Sequence, residues 1–219
     1  MQQVTERATG EYDDYRRIVH DSFQHWYREG KDSWTGARTN DRVADFVCAS
    51  APPECRRVLD IGCGRGHQTA EIATRLDAEV TGLDLLDVWD APTPRRGTAR
   101  LHQGDFLGFA ADPVDLLVDN GCLHHQRRED WPGWIGHGRE LLRPGGVWTI
   151  SCFLSPGSEV VAMPLADGRH NWWLTESALL ELFAEQGFES IGSLVIDRQF
   201  NYQGAWLKYL AVSFTQSEE

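Results

Sequence analysis

The chain has 219 residues, 41% hydrophobic and 25% charged, enough for one sizeable core and ordinary for a soluble globular domain. Its 21 Lys and Arg against 33 Asp and Glu leave a formal charge of −12. That field repels polyanions, which disfavours a nucleic-acid partner and favours a small-molecule ligand; Arg95-Arg96 and Arg127-Arg128 are too short to form a basic patch.

No apolar run approaches the roughly 18 residues that span a bilayer, and the polar stretch Met1 to Gly10 lacks the apolar segment of a secretory signal. Cys48, Cys55, Cys63, Cys122 and Cys152 contain no CxxC pair, so neither a disulfide framework nor a metal site is expected. The expectation is a cytoplasmic protein with reduced thiols and no membrane partner.

In chain order, Tyr15, Ile18, Val19, Phe23 and Trp26 recur at helical spacing and predict a helix from Glu11 to Glu29. A second helix is expected from Asn40 to Ser50, stopped by Pro52-Pro53. Short apolar runs then alternate with helical stretches. Strands are expected at Val58 to Ile61, Glu79 to Leu83, Ala99 to Gln103, Asp115 to Val118 and Val147 to Phe153, with helices at Gln68 to Leu76 and Trp134 to Leu142. A helix from Glu176 to Glu185, capped by Thr175, precedes strands at Phe188 to Ile196 and Trp206 to Phe214, joined through Gly204. This order implies an α/β fold: a seven-stranded, mostly parallel sheet with helices on both faces and a C-terminal antiparallel hairpin.

In such sheets ligands bind beyond the carboxyl ends of the strands, so the turns there carry the functional residues. The first turn is Asp60-Ile61-Gly62-Cys63-Gly64-Arg65-Gly66. Its glycines let the backbone turn tightly and let a ligand approach closely, and the following helix start offers free N–H groups. A nicotinamide site would need G-x-G-x-x-G, and its third glycine position is His67 here. The second turn ends in Asp84-Leu85, an acid at a strand end suited to ribose hydroxyls. The third is Gly104-Asp105-Phe106, and the fourth is Asp119-Asn120-Gly121 followed by His124-His125.

The pattern D-x-G-x-G-x-G with these acids in order, and with Leu141 to Val147 before the fifth strand, resembles the class I S-adenosylmethionine-dependent methyltransferases from about Val58 to Phe153. The resemblance implies a Rossmann-like doubly wound fold and S-adenosylmethionine as cofactor, leaving as S-adenosylhomocysteine. It implies that Asp60 orients the cofactor's amino group, while Gly62, Cys63, Gly64 and Gly66 pack on its methionine end. It places Asp84 and Leu85 at the ribose, Gly104, Asp105 and Phe106 at the adenine, and Asp119, Asn120 and Gly121 along the cofactor. One domain spans 1–219, with a helical lid or substrate segment at 1–50, the cofactor core at 51–153, and a substrate link with the last strands at 154–219. A noncatalytic cofactor-binding module and a nicotinamide oxidoreductase are the competing readings.

Methyl transfer needs a positioned acceptor and, where the acceptor carries a proton, a base. His124 and His125 are the candidate bases, with capping or packing behind the cofactor as the alternative role. Substrate walls are expected from the segment His25 to Gly36, with Tyr27, and from the link Ser155 to Leu174, with Arg169, His170, Trp172 and Trp173. Of the two tryptophans, one is expected in the core and one in the pocket. The Trp34-Thr35-Gly36 element, together with Asp119 to His125, resembles the branch of thiopurine, thiol and halide methyltransferases, which implies that Trp34 encloses the cofactor and that a thiol acceptor stands ahead of hydroxyl or amine ones.

Overall fold

A computed structural model describes residues 2–163, 165–202 and 205–217. Helix α1 (Gln2–Arg28) and α2 (Arg38–Ser50) precede the alternating core of β1 (Arg57–Ile61), α3 (His67–Leu76), β2 (Glu79–Asp84), β3 (Thr98–Gln103) and β4 (Val114–Asn120). Helix α4 (Trp131–Leu141) leads into β5 (Leu142–Leu154), followed by β6 (Val161–Ala162), β7 (Trp172–Leu174) and α5 (Glu176–Ala184). The chain closes with β8 (Phe188–Tyr202) and β9 (Ala205–Gln216).

Strands β3, β2, β1, β4 and β5 lie side by side in that order and parallel; β9 pairs antiparallel with β5, and β8 with β9. The connections from β1 run outward one way through β2 and β3, and from β4 the other way through β5. The carboxyl ends of β1 and β4 therefore flank the crevice where the strand order reverses.

Alternation along the strands builds two cores, because successive side chains point to opposite faces. Leu59, Leu117 and Trp148 face α4 and α5 with Trp134, Ile135 and Phe183. Their neighbours Val58, Leu116 and Val147 face α2 and α3 with Val47 and Ile72. Helix α4 comes so close to β5 that a Cβ on Gly138 would lie 2.2 Å from the Trp148 ring.

Several boundaries differ from the sequence expectation. Helix α1 begins well before Glu11, because the Gln, Glu, Arg and Ala of its first turns are adequate helix formers. Helix α4 begins at Trp131, with Pro132 in the first turn where its missing N–H costs nothing. Strand β5 begins at Leu142, which pairs with Val114 across an irregularity before the regular register resumes at Val147.

The expected seven strands are present, and the described residues hold two more. β7 pairs parallel with Phe153 and Leu154 of β5, beyond Ser151 where pairing with β4 ends, and β6 pairs antiparallel with β7. These strands are two and three residues long, too short for alternation to register. They fold the link over the end of the sheet. Gly204 lies outside the described residues. Among the described residues no helix is long and apolar enough to cross a membrane, and the five cysteines are free thiols.

Candidate active site

A cavity of about 780 Å³ opens at the carboxyl ends of β1, β2 and β4, covered by α1 on one side and bounded by β7, β8 and β9 on another. Its size lies in the upper part of the range for small-molecule sites.

The turn after β1 is set by three glycines with positive φ, Gly62 (+68°), Gly64 (+54°) and Gly66 (+77°). A Cβ at Gly64 would come 2.5 Å from Tyr27 Oη, and one at Gly62 2.0 Å from Cys122 Sγ, so both positions demand glycine. Gly62, Cys63 and Gly64 line the cavity. Gly66 does not; its missing Cβ makes room for the Trp89 ring, a packing role.

Asp84 stitches this turn to β2, its carboxylate accepting the Gly64 and Leu86 N–H groups, each at 2.8 Å. Leu85 borders the cavity beside it. Asp60 is buried at the cavity wall and accepts the Thr69 hydroxyl. Loss of water there, with Asp84 and Asp119 nearby, pushes its carboxyl up to about 7.

Asp119 departs from the sequence expectation. It is wholly buried, is not part of the cavity wall, and accepts the Cys122 N–H at 2.7 Å, the Leu123 N–H at 3.4 Å and Trp134 Nε1 at 3.1 Å. It shapes the turn that presents Asn120 and Gly121, which do line the cavity. Asn120 Nδ2 donates to Asn40 Oδ1 at 3.1 Å and Gln68 Oε1 at 2.5 Å, and its Oδ1 accepts Ser151 Oγ at 2.5 Å. Buried Gln68 Nε2, on a side chain at the cavity wall, has no partner among the described residues.

After β3, Gly104, Asp105 and Phe106 all reach the cavity. Asp105 is engaged by α1: Tyr12 Oη donates to it at 2.7 Å, and Arg16 approaches to 3.6 Å. Phe106 rests on Trp134, with ring centroids 4.5 Å apart.

At the other end stand His124 and His125, ring centroids 4.3 Å apart. Burial holds both below the ordinary imidazole range, His125 at about 4 with a further push from the Arg169 guanidinium. His125 Nδ1 lies 3.0 Å from the His170 carbonyl oxygen. A carbonyl only accepts, so Nδ1 carries the hydrogen and Nε2 is the lone-pair nitrogen. Tyr15 locks this arrangement, donating to the His125 carbonyl and accepting the His170 N–H at 2.9 Å. Arg169 lies 4.2 Å over the Phe23 ring and pairs with Asp167 at 3.1 Å.

The expected substrate residues divide. Tyr27, Arg169 and Trp173 line the cavity, as does Trp34, which was expected at the cofactor. His170 and Trp172 do not: the His170 ring packs between Tyr15 and Trp172, and Trp172 donates Nε1 to the Gln126 carbonyl at 2.9 Å with its ring edge on Trp131. Adjacent residues of a strand face opposite sides, which is why Trp172 packs inward while Trp173 meets the cavity. Trp34 donates Nε1 to Tyr27 Oη at 3.1 Å.

Sequence reasoning missed Tyr12, Arg16, Asn40, Gln68, Arg198 and Tyr209, all of which line the cavity. The helical repeat of Tyr12, Arg16, Val19 and Phe23 was a usable signal for one wall. Arg198 and Tyr209 come together only through the β8 and β9 pairing.

The family model described as a methyltransferase domain matches residues 23–192. The ubiquinone biosynthesis O-methyltransferase of Cereibacter sphaeroides is 29% identical over 174 residues, 70% of this chain and 69% of that protein. The structure of the Burkholderia thailandensis 1,6-didemethyltoxoflavin-N1-methyltransferase, with bound 1,6-didemethyltoxoflavin and S-adenosylhomocysteine, is 26% identical and superposes with a TM-score of 0.82, covering 94% of this chain and 91% of that one. A glycopeptide N-methyltransferase complexed with S-adenosylmethionine, 20% identical with a TM-score of 0.62 over 81% of this chain and 93% of that one, shares the fold. The chain belongs to the methyltransferase-domain family and is an S-adenosylmethionine-dependent methyltransferase of small molecules.

Proposed function

We propose that the chain methylates an oxygen or nitrogen atom of a planar small molecule seated among Phe23, His124, His125, Phe153 and Tyr209, and that His125 Nε2 receives the acceptor's proton. The observation that carries this reading is the neutral His125, whose tautomer is fixed by the His170 carbonyl and whose ring borders the cavity. The aromatic lining suits a flat acceptor. The two relatives named for an O- and an N-methylation are consistent with it.

When bound, S-adenosylmethionine supplies an electrophilic methyl group on its sulfonium. The residues present fit it. Gly62 and Gly64 leave room for close approach, Asp60 offers a carboxylate to its ammonium, and Gln68 Nε2 is a buried donor in need of a partner. Asp84 retains lone pairs for the ribose hydroxyls, and Gly104, Asp105 and Phe106 would border the adenine. Phe23 and Trp26 of α1 and Trp173 of β7 give the acceptor end aromatic walls.

The resemblance that implies a thiol acceptor rests on the Trp34-Thr35-Gly36 element and on Asp119 to His125. Trp34 is occupied with Tyr27, a contact indifferent to the acceptor atom.

The test is formation of S-adenosylhomocysteine on a panel of phenols, N–H heterocycles and thiols. Phenols or N–H heterocycles are expected to turn over, and His125→Ala is expected to lower kcat by about 10²-fold or more at unchanged S-adenosylhomocysteine affinity. Turnover confined to thiols, or undiminished in His125→Ala, overturns the reading.

A further inference from the structure

Charge is segregated along the cavity. The acidic residues that line it, Asp41, Asp60, Glu71, Asp84 and Asp105, lie on α2, near the end of β1, on α3, at the end of β2 and after β3, which is the half proposed for the cofactor. Among the described residues, no carboxylate from Phe106 onward lines it, while two guanidiniums do, Arg169 and Arg198. In a chain of net charge −12, the acceptor half is the cationic part of the wall.

The four arginines of the wall are not equivalent. Arg16 pairs with Asp13 and Asp105, Arg65 with Asp32 and Asp90, and Arg169 with Asp167. Arg198 has no carboxylate partner among the described residues. Its guanidinium lies 4.5 Å from the Tyr209 ring centroid and 5.1 Å from that of Phe153, and it donates to Tyr209 Oη at 3.3 Å. It follows Asp197, where the β8 and β9 register becomes irregular, a feature that re-aims side chains beside sites. The His124 ring packs 4.7 Å from Phe153 in the same cluster, with buried Nδ1 lacking any partner among the described residues. Asn171 Oδ1, on another residue of the wall, is also without one.

We propose that the methyl acceptor carries a negative charge, a carboxylate or conjugated oxyanion on its planar ring, and that Arg198 holds that charge against the faces of Phe153 and Tyr209. Arg198 is then a specificity-determining residue. A half-buried guanidinium without a counter-ion is costly, and a bound anion would both compensate it and make the fork-shaped contact that guanidinium favours. The same anion would offset the field of Arg169 on His125 and favour the imidazolium formed as the acceptor loses its proton. This inference rests on the acceptor site proposed above.

The test is calorimetry with benzoate and 2-naphthoate against benzamide and 2-naphthamide, in the presence and absence of S-adenosylhomocysteine. The acids are expected to bind about tenfold to a hundredfold more tightly than the amides. Arg198→Gln is expected to erase that preference and Arg198→Lys to keep part of it, both at unchanged affinity for S-adenosylhomocysteine. Equal affinity of acids and amides, no binding by either series, or a preference that survives Arg198→Gln overturns the proposal. The wild-type comparison needs no variant, so it decides even where a variant fails to fold. S-adenosylhomocysteine binding without acid preference defeats this inference alone; acid preference with turnover confined to thiols defeats the oxygen or nitrogen reading alone.

Discussion

Asp60→Asn gives the most informative perturbation of the cofactor half. Burial and the neighbouring carboxylates of Asp84 and Asp119 raise the Asp60 carboxyl from 3.8 to about 7, against the lowering effect of the Thr69 hydroxyl. A cofactor ammonium beside it favours the ionised form, so binding is linked to loss of that proton. The ionised fraction falls from about nine-tenths near pH 8 to about one-tenth near pH 6, which predicts a roughly tenfold drop in S-adenosylhomocysteine affinity, about 1.4 kcal/mol. Asp119 titrates lower, at about 6, so the upper part of the window belongs mainly to Asp60. Asp60→Asn should flatten the profile and weaken binding at high pH by about 1.5–3 kcal/mol, the worth of a hydrogen bond to a charged group. The assay is titration calorimetry across this range, in buffers of differing ionisation enthalpy to count the proton released. A flat wild-type profile, or an equal slope in Asp60→Asn, refutes the ammonium contact. Without ligand the sign reverses for folding. A carboxyl whose folded pKa is raised stabilises the fold fully below about 3.8, and that contribution is lost as pH climbs to about 7.

Two further outcomes test the scaffold. Gly138→Ala places a methyl 2.2 Å from the Trp148 ring and should cost about 1–3 kcal/mol in urea unfolding; a change under about 0.5 kcal/mol would mean that α4 and β5 are less tightly apposed. His125, depressed from 6.5 to about 4, contributes stability that is present above about 6.5 and lost as pH falls toward 4. Its ring borders the open cavity, so of order 2 kcal/mol is expected, and His125→Gln should reduce the loss of thermal stability between those values; an unchanged profile assigns the loss to other groups.

Local sequence carried the part of the cavity proposed to hold the cofactor. Asp60, Gly62, Gly64, Asp84, Gly104, Asp105 and Asn120 each sit at or just after the end of a strand recognisable by its own short apolar run, so placing the strands placed them. The same locality misled at two positions. Gly66 and Asp119 stand in the right turns, but the conformation of each turn directs one toward Trp89 and the other into the core beneath Trp134. Chain position cannot reveal which residues of a turn point inward. The acceptor half was legible only as segments. The link Ser155 to Leu174 was recognised by its aromatic content, yet the two- and three-residue strands that divide Trp172 from Trp173 are set by pairing with Phe153 and Leu154 of β5, a tertiary effect. Arg198 and Tyr209 lie on opposite strands of the hairpin, and nothing in either neighbourhood marks them.

This difference bears on how such a protein changes its acceptor. The wall proposed for the cofactor is held by backbone contacts of the sheet: Asp84 binds Gly64 and Leu86 through their amides, and Gly62 and Cys63 both donate to the Leu83 carbonyl. A substitution there disturbs the β1 and β2 turn as well as the ligand. The wall proposed for the acceptor is assembled from α1, β7 and the β8 and β9 hairpin, joined by side-chain contacts such as Tyr15 with His125 and His170, and Ser22 with Asp167 at 2.6 Å. Replacing a side chain such as Arg198 leaves the backbone pairing of β8 with β9 in place, because that pairing uses main-chain groups. Acceptor charge preference can therefore change by single substitutions on this wall while the Asp60 to Gly66 turn stays as it is, and the Arg198 and Asp60 experiments separate the two halves. Loss of acid preference without loss of cofactor affinity in one, and the converse in the other, is what a cavity built in this way requires.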